Sequence, residues 1–172
     1  IRKTVGQNMT HAVQTIPHVT IMDSADVTAL WSLRTREKID AEKQGIRLTF
    51  LPYIIKAIVA ALETYPIVNS SLDETSREIV LKKFYNIGFA VDTAEGLLVP
   101  VIKDADKKDK LQIARELAEL AEKTRTKKIQ PSEMENHTFS LTNYGSFGGL
   151  YATPIINFPD AAILGIGKIK DT

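Results

Sequence analysis

Four short apolar runs follow one another between residues 68 and 104: VNSSL, EIVLKKFYN, IGFAVDT and GLLVPVIKD. Asp73-Glu74 and Ala94-Glu95-Gly96 supply turn-forming residues, so the runs read as strands joined by tight turns. Helix-like segments lie on either side of this block and none within it. A regular strand–helix alternation would give a doubly wound parallel sheet. This order favours an α+β two-layer sandwich, a mixed sheet flanked by helices.

The flanking helices follow from spacing. Val5, Met9, Ala12, Val13 and Ile16 share one face of an opening helix that Pro17 stops. Thr28 is placed to cap a second helix, which runs to a left-handed stop at Gly45. Thr49 and Pro52 open a third, with Ile54, Ile55, Ile58, Val59 and Leu62 as its wide apolar stripe. Asp109 caps a long charged fourth helix that turns Ile113, Leu117 and Leu120 inward. Between the first two helices, HVTIMDSADV reads as a strand with Val19 and Ile21 on one side. Ser132 begins a short turn, and strands near 138–143 and 161–169 end the sequence. No repeat or linker interrupts it, and 172 residues fit one domain over 1–172.

Composition removes several classes of function. The formal net charge is +1, from 22 basic and 21 acidic residues, which gives no reason to expect nucleic acid or an anionic membrane as partner. There is no cysteine, hence no disulfide, thiolate metal site or cysteine nucleophile. No apolar run approaches a bilayer's span and no signal peptide is visible, so the expected address is intracellular. His11, His18 and His137 lack metal-ligand spacing, and no metal is expected. GIGKI puts Ile169 where a phosphate loop needs Ser or Thr, and DADKKD puts Lys108 and Asp109 at the third-ligand and glycine positions of a calcium loop.

One motif remains. TFSL carries Thr142 to the end of a strand, ahead of Asn143-Tyr144-Gly145-Ser146-Phe147-Gly148-Gly149-Leu150. A hydroxyl fixed there can donate to a developing oxyanion, and Gly145, Gly148 and Gly149 allow close backbone approach by a ligand. The same spacing also suits a plain glycine-rich connection between strands. His137 precedes Thr142 by five residues, about 17 Å along an extended strand and on its opposite face, so it is not the local base. His18 reads as a half-buried imidazole or as a residue at a substrate channel.

The sequence resembles the catalytic core domain of the dihydrolipoamide acyltransferases of 2-oxo acid dehydrogenase complexes. The resemblance rests on IRKTVGQNM, IPHVTIMDSADVTAL, LTFLPYIIKAIVAAL, YPIVNSSLDE, YNIGFAVDTAEGLLVPVIKDAD and TFSLTNYGSFGGLYATPIINFPDAAILGIGKI, which together cover nearly the whole chain. It implies a sandwich related to chloramphenicol acetyltransferase, and homotrimers that assemble into a cubic or icosahedral core. That core would work beside the decarboxylase and dihydrolipoamide dehydrogenase components, in the bacterial cytoplasm or the mitochondrial matrix. It further implies transfer of an acetyl or other acyl group between dihydrolipoamide and coenzyme A, both substrates meeting in a channel between subunits.

By the same resemblance, Thr142 is the oxyanion donor. On that expectation Asn143, Gly145, Phe147, Leu150 and His18 are candidates to line the substrate path, and Arg2, Lys3 and Lys103, each also readable as a solvated surface cation, are candidates to hold the phosphates of coenzyme A. The base is implied to belong to a His-x-x-x-Asp-Gly motif on a strand beyond Ile169, followed by a last helix. The sequence to Thr172 does not contain that motif. The expectation is a C-terminally incomplete core domain, inactive in this form. A non-catalytic scaffold of the same complex is the alternative, and an enzyme acting on a free small molecule is disfavoured.

Overall fold

The computed structural model describes residues 2–170. Its helices are α1 (Arg2–Thr15), α2 (Thr28–Lys43), α3 (Leu51–Thr64) and α4 (Lys110–Arg125). Their ends follow local chemistry. Asp109 accepts from the backbone N–H groups of Leu111 and Gln112, and the Gln112 side chain accepts in return from the Asp109 N–H, a complete capping box. At the end of α2, Ile46 N–H bonds Ala41 O and Gly45 N–H bonds Glu42 O, with Gly45 at φ +71°. That is the Schellman closure expected of a glycine there. The start of α2 differs from the sequence expectation. Thr28 is the first helical residue rather than the cap, and Asp26 accepts from its N–H.

The four strand-like runs become six short strands: β1 (Ser70–Leu72), β2 (Ile79–Leu81), β3 (Ile87–Phe89), β4 (Val91–Thr93), β5 (Gly96–Leu98) and β6 (Val101–Ile102). Ala90 and Val99-Pro100 separate the strands: Ala90 N–H still donates to Leu141 O and Pro100 O accepts from Phe89 N–H, but proline has no N–H of its own for a ladder. β1 pairs β2 and β4 pairs β5 as separate antiparallel ribbons. The central sheet has the order β6-β3-β7-β8, with β7 (Phe139–Asn143) and β8 (Ile163–Ile166) added last. β3 is antiparallel to β6 and parallel to β7, and β7 is parallel to β8, so the sheet is mixed as expected.

One face of this sheet makes the core. Ile87, Phe89, Ile102, Phe139 and Leu141 pack against Ile55, Ile58, Val59 and Leu62 of α3 and Ile113, Leu117 and Leu120 of α4. These are the helix stripes read from the sequence, and they produce the two layers. Lys56 joins the layers by donating to three carbonyls of one loop, Ala105, Asp106 and Lys108, at 3.4, 3.2 and 2.9 Å.

Residues 18–27 form no strand, contrary to expectation. Val19 and Ile21 are 85% and 90% exposed, and no strand among the described residues runs beside them to take their backbone hydrogen bonds. In α1, Ala12 is buried but Val13 has turned outward.

Candidate active site

β7 sets the site's geometry by strict alternation. Phe139 and Leu141 face the helices, so Ser140 and Thr142 face the other way. Thr142 is half-buried at the end of this strand, with Gly165 of β8 as its register partner. The loop after it is held by its own bonds: Asn143 Oδ1 accepts from Gly145 N–H at 3.0 Å, and Ser146 Oγ donates to Asn143 O at 3.4 Å. None of the loop's bonds uses the Thr142 hydroxyl. It stays available to a ligand.

The glycines have a different explanation from the one read in the sequence. A Cβ on Gly145 would stand 2.5 Å from Gly167 O, and one on Gly149 would meet the Tyr144 ring at 3.0 Å. Their bare Cα atoms let the chain pack on itself. Gly148 sits at φ +84°, where a side chain is strained, with open space around it. Asn143, Ser146 and Gly148 are exposed, and the large apolar side chains that the loop exposes with them are Phe147, at 76%, and Leu150.

His18 is a clasp rather than a free imidazole. Ile156 N–H donates to Nε2 at 3.0 Å, which leaves the ring proton on Nδ1 to donate to Ile16 O at 2.9 Å. It thereby ties the end of α1 to the 154–158 segment, where His11 also meets the Phe158 ring edge-on, 4.7 Å between centroids. Arg2 and Lys3 are exposed in the first turn of α1. Lys103 instead lines a groove of about 600 Å³ along α4, whose lining includes neither of them. Two of the groove's four cations are paired with carboxylates: Lys108 with Glu116, and Lys123 with Glu119 at 2.8 Å and Glu133 at 2.9 Å. The N–H of Gln130, then Lys123, hold the Glu133 carboxyl below its ordinary range. Among the described residues no cluster of three or more His, Cys, Asp or Glu could hold a metal ion.

His137 is placed differently from the sequence reading. β7 begins only at Phe139 and the chain bends at Thr138, so the strand's alternation does not reach back to His137, which lies on the side of Ser140. There its Nδ1 lies 2.8 Å from Asp160 Oδ1, while Ser140 Oγ donates to Asp160 Oδ2 at 2.7 Å. Asn157 Nδ2 donates to His137 Nε2 at 3.0 Å, so the ring proton is on Nδ1 and directed at Asp160. Both nitrogens are committed.

Residues 1–172 match the family model described as 2-oxoacid dehydrogenases acyltransferase (catalytic domain). The chain belongs to this acyltransferase family. It is 50% identical over 169 residues to the dihydrolipoyllysine-residue acetyltransferase component of the Staphylococcus aureus pyruvate dehydrogenase complex, covering 98% of this chain and 39% of that protein. The Bacillus subtilis component of the same name is 47% identical over 171 residues, again 99% of this chain and 39% of the relative. The chain thus spans well under half the length of these relatives. Among solved structures, Azotobacter vinelandii dihydrolipoamide acetyltransferase superposes with TM-score 0.95 at 44% identity, over 96% of this chain and 68% of that one. The truncated catalytic core of the Thermoplasma acidophilum 2-oxoacid dehydrogenase complex gives 0.94 at 40% identity, over 100% and 78%. A third match, at 0.95 and 44%, is the cubic core of a pyruvate dehydrogenase complex, covering 97% of this chain and 69% of that one.

The acyltransferase fold thus joins what the sequence held apart. Thr142 stood out locally because an alternating strand ends in a polar residue before glycines. The Ser140–Asp160–His137 array escaped notice, since its members lie 20 and 23 residues apart and meet only through the β7–β8 crossover.

Proposed function

We propose that this domain transfers an acetyl group between dihydrolipoamide and coenzyme A within a pyruvate dehydrogenase complex, with Thr142 as the oxyanion donor. The carrying observation is a half-buried strand-end hydroxyl, left out of the loop's hydrogen bonds, in a chain matched from end to end to the acyltransferase family. The attacking thiol gives up its proton to a base and adds to the thioester carbonyl. The carbonyl oxygen becomes an oxyanion that Thr142 Oγ1–H stabilises, and collapse expels the other thiolate. His18 and His137 have both ring nitrogens committed within the chain; by the family resemblance, the base is the histidine of the His-x-x-x-Asp-Gly motif.

Phe147 and Leu150, exposed beside Thr142's loop, suit the apolar arm of the lipoyl group. For coenzyme A, Lys103 is proposed as a phosphate contact with a groove beside it, and Arg2 and Lys3, exposed on α1 outside that groove's lining, as separate phosphate contacts. The working unit is proposed as a homotrimer within a larger core that gathers the decarboxylase and dihydrolipoamide dehydrogenase components. The relative solved as a cubic core supports this reading.

The test is Thr142→Ala in the full-length protein. Turnover in the acetyl-coenzyme A plus dihydrolipoamide assay should fall by about 10²–10³ with KM nearly unchanged, and Thr142→Ser should recover most of it. A loss smaller than about threefold removes the oxyanion role.

A further inference from the structure

The two sides of β7 are anchored by different means. Toward β3 the strand is fixed by buried Ile87 and Phe89 and by Asn86, which accepts from Thr138 N–H, donates to Asn136 O, and accepts from Asp104 N–H through its side chain. Toward β8 the anchoring is the ladder itself, from Ser140–Ile163 to Asn143–Ile166, with Ile166 packed at the margin of the core. No residue of Ile163–Ile166 is fully buried, and Gly165 and Gly167 contribute no side chain. Register in a short, glycine-containing strand is weakly specified by packing, and a slip of one residue exchanges its faces.

The register matters at one position. Thr142 stands opposite Gly165, and a Cβ there would meet the Tyr144 ring at 2.8 Å and Pro154 at 3.4 Å. One step of slippage would set Leu164 or Ile166 beside Thr142 instead. The side-chain hydrogen bonds that tie β7 to the segment leading into β8 converge on Asp160. It is 5% exposed and lies three residues before Ile163, the register partner of Ser140. Its two carboxylate oxygens take one bond each, from Ser140 at 2.7 Å and His137 at 2.8 Å, and Asn157 holds the far side of the ring.

We propose that Asp160, gripped by Ser140 and His137, is a positioning residue that pins β8 in register on β7 and so keeps Gly165 beside the Thr142 hydroxyl. It touches no substrate. Its effect on turnover passes through Thr142, so this inference rests on the oxyanion reading, whereas its effect on register does not.

The experiment compares Asp160→Ala, Asp160→Asn, Ser140→Ala, Thr142→Ala and the Asp160→Ala/Thr142→Ala double variant in the full-length protein. Amide hydrogen exchange over residues 163–166 and steady-state acetyl transfer are both read. Asp160→Ala should accelerate β8 exchange at least about tenfold and lower kcat by about ten- to a hundredfold, with KM within about threefold. Asp160→Asn can still bond both neighbours and should restore most of the loss. Should Asp160→Ala not fold, Ser140→Ala carries the same comparison in milder form. The double variant should be no slower than Thr142→Ala alone, because Asp160 has nothing left to position. Losses that multiply, or β8 exchange that does not change, overturn the proposal. If Thr142→Ala leaves kcat intact, the oxyanion reading fails, and the exchange measurement alone decides whether Asp160 holds the register.

Discussion

Glu37 shows how much one partly buried carboxylate can organise. Its two oxygens take bonds from Lys110 Nζ and Tyr53 Oη, and the Lys110 ammonium also lies 5.5 Å from the centre of the Tyr53 ring. One residue each from α2, α3 and α4 therefore meets at one point. Lys110, then Tyr53, holds the Glu37 carboxyl below its ordinary range, while burial and then Glu37 itself push the Tyr53 hydroxyl up. A carboxyl with a depressed folded-state pKa stabilises the fold above the unfolded value, and that contribution is lost as pH falls through the folded one. Glu37→Gln should therefore destabilise by about 1 kcal/mol at pH 7, or about 2–4 °C in Tm. The gap to the parent protein should close as both are taken below about pH 4. Thermal melts across pH check this, and a gap unchanged at pH 3 would assign the effect to packing instead of charge.

At the level of single elements, α4 depends on a reciprocal cap that the sequence shows openly. Asp109→Ala removes the acceptor for two backbone N–H groups and should cost about 1 kcal/mol, read from urea midpoints with an unchanged slope. A loss under about 0.3 kcal/mol would mean water replaces the cap fully. Local chemistry of this kind is why the helices, the Gly45 stop and the core stripes were legible. What failed to show depended on partners far away in sequence. HVTIMDSADV has the composition of a strand, but no strand stands beside it. The runs at 87–93 and 96–104 look continuous, yet Ala90 and Pro100 divide each between two sheets. Strand parity put Thr142 at the end of β7, where it lies, and misplaced His137, because β7 starts at Phe139 and its alternation does not extend back to residue 137. Glycine was likewise read as room for a ligand where, at Gly145, it is room for Gly167.

On the scale of the whole molecule, apolar surface is distributed in a way a solitary domain does not need. Val19, Ile21 and Met22 project from the irregular 17–27 segment, and Leu72, Ile79, Val80 and Leu81 are exposed on the β1–β2 ribbon. Side chains of this kind gain nothing for the monomer, so replacing one should leave monomer stability almost unchanged. They do gain from burial against another copy, at roughly 25 cal/mol per Å² of apolar surface removed from water. Backbone groups in 17–27 that no strand among the described residues takes up are free to pair there as well. A relative built as a cubic core is consistent with such burial. The expected result is that this 19.1 kDa chain sediments at a multiple of its own mass. Ile21→Glu, at a side chain 90% exposed here, should shift that equilibrium toward monomer by about tenfold or more while leaving the monomer's Tm within about 2 °C. Sedimentation velocity over a dilution series measures the first and calorimetry the second. An unshifted association with an unchanged Tm would place Ile21 outside the contact and move the search to the β1–β2 ribbon, while a large drop in Tm would mean that Ile21 is packed within its own subunit.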